Sequence, residues 1–167
     1  MMKKIAVLAI VAGAMNLGGC ATVMNGTKVD YSTTTKPDGA TVKFTDGREC
    51  ISPCTFEFRR KDDMRADISL AGYKPTYVLI QSKLGGSAFG NIVAGGIVGG
   101  IVDGSNGASN RLYPRPLIVQ LAAEGSADEA MLLDKDGKVV MSVKEHNDSV
   151  KLDVAKTIGN KLAGIEE

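Results

Sequence analysis

The sequence predicts a mainly β protein. It reads as a small antiparallel β-sandwich with a glycine-rich helical insertion and a C-terminal hairpin plus helix. Three observations predict this. Residues 28–81 alternate apolar and polar side chains in short runs between turn signals, the pattern of half-buried strands. Residues 84–102 carry no charge, and nine of the 20 glycines lie between Gly85 and Gly107, which sets that stretch apart. Near the end, Val150, Val154, Ile158 and Leu162 recur every four residues, so the apolar period changes from that of a strand to that of a helix.

The strands come first. Val29, Tyr31 and Thr33 alternate with polar neighbours, and Pro37-Asp38-Gly39 then marks a turn. Ala40, Val42 and Phe44 fall on one face of the next strand. Asp46-Gly47 turns again; Gly39 and Gly47 suit positive φ, and Pro37 presets the turn before them. Thr55-Phe56-Glu57-Phe58 alternates, Lys61-Asp62-Asp63 turns, and Ala66, Ile68 and Leu70 share a face. Residues 77–80 continue into a further strand. Pro114 and Pro116 precede residues 117–121, a final strand returning to the same sheet. Residues 84–109 are therefore an insertion within a domain spanning 28–123, not a linker between domains.

Within this run, Pro37-Asp38-Gly39-Ala40, Val42, Asp46-Gly47, Ser52-Pro53 and the closing Gly72-Tyr73 resemble the PEGA domain in order and spacing. Ser52-Pro53 stands where that family has Thr-Pro. Cys50 stands where it often has glycine, a departure from that family's pattern. The resemblance covers about forty residues, and it implies a β-sandwich module of cell-envelope proteins with no catalytic residues. The wider arrangement is similar to small bacterial lipoproteins in which a PEGA-like sheet carries a glycine-rich apolar insertion.

The N-terminus fits that setting. Lys3 and Lys4 precede an apolar run over residues 5–15, and Gly18-Gly19 leads to Cys20. Such a run is too short for a transmembrane helix and reads as a secretory signal over residues 1–19. Leu17-Gly18-Gly19-Cys20 resembles the lipobox of bacterial lipoproteins. It implies cleavage before Cys20, a thioether lipid on its sulfur and acylation, by palmitate for example, of the new amino terminus. Several acyl chains at ~0.8 kcal/mol per buried methylene anchor durably. Residues 20–27 then form a tether, and the membrane becomes a partner through the anchor. Ala21 stands where aspartate would resemble an inner-membrane retention signal, which points to the outer membrane, facing the periplasm.

Composition narrows the function. Without Lys3 and Lys4, 18 of the 20 basic side chains face 19 acidic ones, a balance that argues against nucleic acid as a partner. The chain has no tryptophan, hence no tryptophan platform for sugars. With Cys20 lipidated, Cys50 and Cys54 remain as an even pair in an oxidising space. A turn at Ile51-Ser52-Pro53 brings them within bridging distance, and closing so short a loop contributes about 2 kcal/mol. The CxxxC spacing reads as a structural disulfide and not a redox CxxC. The only histidine, His146, lies too far along the chain to complete a metal site and reads as a surface or capping residue. No nucleophile–base pair, metal cluster or phosphate loop is visible, so the chain reads as no enzyme, with no cofactor and no metal.

Residues 124–167 read as a hairpin and an amphipathic helix. Residues 130–133 and 138–141 flank Asp134-Lys135-Asp136-Gly137, a turn that lacks the calcium-loop run and its distal glutamate. Asn147 or Asp148 is expected to cap a helix running from Ser149 towards Leu162.

The insertion has its own order. As one helix, residues 84–102 would reach close to the ~30 Å hydrocarbon thickness, but glycine adds little apolar surface. Gly95, Gly96, Gly99, Gly100 and Gly104 lie opposite Ile97, Val98, Ile101 and Val102, with two GxxxG steps along Gly96, Gly100 and Gly104. The earlier row of Gly86, Gly90 and Ala94 is rotated about half a turn from that face. A break between Ala94 and Gly96 would give two short helical pieces, each too short to span. Three arrangements stay open: a helical element touching the membrane or packing on itself, a helix packed on its own domain, and a loop or β-prone strand. The function this implies is a lipid-anchored, non-catalytic module of the bacterial cell envelope, working as a homo-oligomer or with an envelope protein. The alternative is a membrane-active protein that oligomerises and permeabilises a bilayer.

Overall fold

The computed structural model of the chain describes residues 26–84 and 110–166. The alternation of Val29, Tyr31, Thr33 and Thr35 builds β1 (Lys28–Lys36), and all four side chains turn inward and are buried. Then come β2 (Thr41–Phe44), β3 (Glu49–Ile51), β4 (Cys54–Arg59), β5 (Met64–Ser69) and β6 (Thr76–Leu84). After residue 109 follow β7 (Asn110–Tyr113), β8 (Leu117–Gln120), β9 (Met131–Leu133), β10 (Val139–Ser142), α1 (Val143–Ile158) and α2 (Asn160–Ala163).

The protein is mainly β, as its alternation predicts. Two five-stranded sheets form, ordered β10-β9-β8-β1-β4 and β3-β2-β5-β6-β7. Val42, Phe44, Ile68 and Ile80 from one sheet join Tyr31, Phe58, Leu117 and Val119 from the other in a single apolar core. At its centre the Phe58 ring lies 4.9 Å from Phe44 and meets Tyr31 edge-on at 5.7 Å, geometries that suit the ring quadrupole. Gly47 takes φ 89° at the β2–β3 turn, where its N–H bonds the Phe44 carbonyl at 3.0 Å.

Three features depart from the expected sandwich. The sheets are not wholly antiparallel, because β8 runs parallel to β1 from Thr33 to Lys36. The chain crosses from β7 to the other sheet through Pro114 and Pro116, and the buried Tyr31 hydroxyl donates to the Pro114 carbonyl at 2.6 Å to fix that crossing. The short strands β3 and β7 are also additions, since neither has enough alternating residues to announce itself. Finally, residues 124–142 form no separate unit: β9 and β10 extend the β1 sheet through β8.

The β6 strand carries four buried residues in succession, from Val78 to Gln81. A strand covered on both faces has this character. Val78 and Ile80 point into the sandwich, while Leu79 packs against Val150 and Val154 of α1. The helix stripe therefore covers the outer face of the second sheet. The helix begins six residues earlier than expected, and its cap is Ser142, not Asn147 or Asp148. The Ser142 hydroxyl accepts from the Glu145 N–H at 3.0 Å. Gly159, at φ 88°, ends α1, so Leu162 falls past the stripe and is exposed.

Candidate functional site

The residues that border 1–25 and 85–109 meet at one end of the fold. Leu84 and Asn110 are cross-strand partners in the β6–β7 ladder, so both roots of the insertion sit side by side. A short chain of hydrogen bonds ties them to the start of β1. The Asn110 side-chain amide donates to the Ser82 hydroxyl at 2.7 Å, and that hydroxyl donates to the Arg60 carbonyl at 2.7 Å. The Arg60 N–H then donates to the Thr27 carbonyl at 2.9 Å. Asp63 braces the same strand: its carboxylate accepts from the Ser82 N–H at 2.6 Å and from the Thr157 hydroxyl of α1. Burial raises the Asp63 pKa, and those two bonds oppose the rise.

This end is rich in cations. Lys83 stands directly opposite Arg111 in the ladder, a like-charge pair where sheets favour opposite charges. Burial lowers the Lys83 pKa and nearby Asp153 opposes the shift. Arg60 donates through Nε to the Lys28 carbonyl and Arg115 through Nε to the Asp30 carbonyl, each at 3.2 Å. Burial, then the charges of Arg115 and Arg111, lowers the Arg60 pKa. Among the described residues, none of these three arginines forms an ion pair.

The other polar features are structural. The β7 strand stops at the Gln81–Tyr113 pair, leaving the preceding residues of β6 without a strand partner on that edge. Two side chains of α1 take its place. Asn147 accepts from the Leu79 N–H at 2.9 Å and donates to the Tyr77 carbonyl at 2.8 Å. His146, only 2% exposed, donates from Nε2 to the Leu79 carbonyl at 2.8 Å, while its Nδ1 has no hydrogen-bond partner among the described residues. Burial holds the His146 pKa below its ordinary value, and Lys83 adds to the effect. His146 is thus a core residue, not the surface or capping residue expected.

An open cleft of about 760 Å³ lies between the β4 edge and the C-terminal end of α1. Two ion pairs lie along it: Lys28 with Glu57 at 2.9 Å and Arg48 with Asp46 at 2.5 Å. The Arg48 guanidinium also stacks on Phe58, 3.9 Å from the ring centre. At the 134–137 turn, the Asp134 carboxylate accepts from the Asp136 and Lys138 N–H groups, which is turn chemistry. Among the described residues no group of three or more acidic, histidine or cysteine side chains could hold a metal ion.

Of the residues singled out in the sequence, Cys50 and Cys54 form a disulfide with Cα atoms 6.4 Å apart. It joins β3 at the edge of one sheet to β4 at the edge of the other, where the chain changes sheets. Cys20 and Gly86, Gly90, Gly95, Gly96, Gly99, Gly100 and Gly104 lie outside the described residues. The sequence reading overlooked Arg60, Arg111 and Arg115; Lys83 and Arg111 standing as the charges that bound the glycine-rich stretch was the available signal. No protein-family model matches the chain, and no curated protein or solved structure matches it either.

Proposed function

We propose that the chain is a lipid-anchored, non-catalytic module of the bacterial cell envelope, held at the outer membrane and facing the periplasm. In this reading Cys20 carries the lipid, and the PEGA-like sandwich presents its surface to an envelope protein or to further copies of itself. The glycine-rich residues 84–109 mediate helix packing or membrane contact. One observation carries the reading: Thr27, seven residues after Cys20, is bonded through Arg60 and Ser82 to Asn110, at the root of the insertion. Seven residues reach at most about 25 Å. An anchor at Cys20 therefore keeps the insertion's roots near the bilayer, whichever way the rest of the sandwich faces.

The test has two arms. The intact mass of protein isolated from membranes should carry the acyl chains on Cys20 and lack residues 1–19; an unmodified Cys20 overturns the reading. Crosslinking in the native envelope should then show an assembly that Gly96→Leu with Gly100→Leu disrupts, while the sheet signal in circular dichroism is unchanged. An unchanged assembly removes the packing role. Dye release from liposomes by the unlipidated protein replaces the module with a membrane-permeabilising function.

A further inference from the structure

We propose that Arg60, Arg111 and Arg115 form a binding surface for the phosphate of anionic lipid headgroups. This rests on the lipid-anchored reading for the direction in which that end of the sandwich points, but the chemistry comes from the described residues alone.

The carbonyls of Lys28 and Asp30 lie two residues apart on β1, hence roughly 7 Å from one another. Each holds one guanidinium by its Nε, Arg60 on the first and Arg115 on the second. That fixes two planar cations side by side and leaves the terminal nitrogens of each without a bond among the described residues. Arg111 lies close enough for its charge to act on Arg60, and it is exposed. Terminal guanidinium nitrogens match phosphate oxygens in a two-bonded fork, and the bond is charge-assisted.

The cluster is not neutralised from within. Glu57 is paired with Lys28, Asp153 with Lys156, and Asp63 bonds the Ser82 N–H and Thr157. Asp30 and Asp62 make no ion pair with the three arginines. The stretches that adjoin this end add almost nothing. Residues 20–27 contain no acid, and residues 84–110 contain one, Asp103. Fixed cations at the end of the fold from which Leu84 leads, in sequence, into the uncharged apolar run 84–102 suit a membrane surface, where anionic phosphates overlie hydrocarbon. A protein partner or free phosphate would match the charge but not the neighbouring apolar stretch.

Basic residues near an anionic membrane surface each contribute roughly fivefold in affinity, so three give about a hundredfold. The experiment uses the full chain, expressed with its leader and isolated from membranes in neutral detergent. Short-chain phosphatidylglycerol is titrated in, and Nε–H signals of Arg60, Arg111 and Arg115 are followed by nuclear magnetic resonance, with short-chain phosphatidylcholine as the neutral comparison. The expected result is a shift with the glycerol lipid alone. In a variant with Arg60→Gln, Arg111→Gln and Arg115→Gln, the midpoint read from Ser82 and Asn110 amides moves up about a hundredfold. The Arg→Lys triple variant keeps the charge but not the fork, so its midpoint falls between those of the parent chain and the glutamine variant, and unchanged lipid-free amide shifts of Ser82 and Asn110 in both variants guard against a trivial loss of fold. Equal response to both lipids, or an unmoved midpoint in the glutamine variant, overturns the proposal. So does inorganic phosphate acting at the same midpoint, which would make this a free-phosphate site. An unmodified Cys20 in the same preparation would sink the lipid-anchored reading and leave the titration interpretable.

Discussion

Replacing Asn147 with alanine should destabilise the fold by far more than the loss of one polar helical residue suggests. The side chain stands in for a missing β-strand at the β6 edge, holding the Leu79 N–H and the Tyr77 carbonyl at 2.9 and 2.8 Å. Alanine leaves both without that partner. Each buried unsatisfied backbone group costs about 1–3 kcal/mol. Leu79 is fully buried, so its N–H incurs the larger cost; Tyr77 is half-buried, and water recovers part of the loss at its carbonyl. The sum is about 3 kcal/mol, a large share of the roughly 5–15 kcal/mol that holds a domain together. Equilibrium urea unfolding followed by circular dichroism measures the change. Hydrogen exchange at the Leu79 amide localises it, since protection there should fall by the same free energy. A loss below about 1 kcal/mol, or an unchanged Leu79 amide, would refute the substitute-strand argument.

His146 should make stability fall as the solution is acidified below about pH 6.5. Its folded pKa is depressed by burial, so in that window the unfolded chain binds a proton that the folded chain refuses, and stability rises with pH. Because it is the only histidine, His146→Gln should flatten urea midpoints measured between pH 5 and 7; an unchanged slope would rule it out as the source. Cys50→Ser with Cys54→Ser should cost about 2 kcal/mol in the same unfolding assay, with no change in sheet content. A loss near zero would mean that the sheet crossing is held by packing alone. Arg111→Glu should convert the like-charge pair with Lys83 into an opposite one and stabilise the ladder by about 0.2–1 kcal/mol, while weakening phosphatidylglycerol binding. Loss of both stability and binding would show that Arg111 serves the fold.

How much was legible depends on how many residues carried each signal. Long alternating strands announced themselves: Val29 to Thr35, Ala40 to Phe44 and Ala66 to Ile68 all bury the faces their period assigns. The disulfide was legible because two cysteines four residues apart flank a turn. The short β3 and β7 strands were not, since three or four residues set no period: β3 is placed by its hairpin with β2, and β7 by β6 across the insertion. The start of α1 was missed for a different reason. Ser142 and Glu145 have the spacing of a capping box, yet His146 and Asn147 broke the apolar stripe that would have supported it. They are buried polar residues whose partners, Leu79 and Tyr77, lie more than sixty residues away. Of the arginine cluster only Arg111 carried a signal, as the charge that follows the glycine-rich stretch; Arg60 and Arg115 join it only through tertiary structure.

The Lys83–Arg111 pair is the point where fold and function pull apart. At most positions a cross-strand pair of like charge is a small, correctable fault, and one glutamate in place of Arg111 would correct it. Here it sits beside a third and a fourth cation, Arg60 and Arg115, each fixed by backbone carbonyls of β1. The charges of Arg115 and Arg111 already act on Arg60, so an external anion among the three relieves repulsion as well as adding attraction. The effect is strongest where solvent screening is weakest. Exposed charges are screened beyond about 8 Å at physiological ionic strength, whereas Arg60 is partly buried and within the fields of Arg115 and Arg111. An arrangement that costs the isolated domain stability therefore becomes a favourable one against a surface of phosphates. The same end of the fold holds Thr27, where the described chain begins, and Leu84 and Asn110, the roots of the glycine-rich insertion.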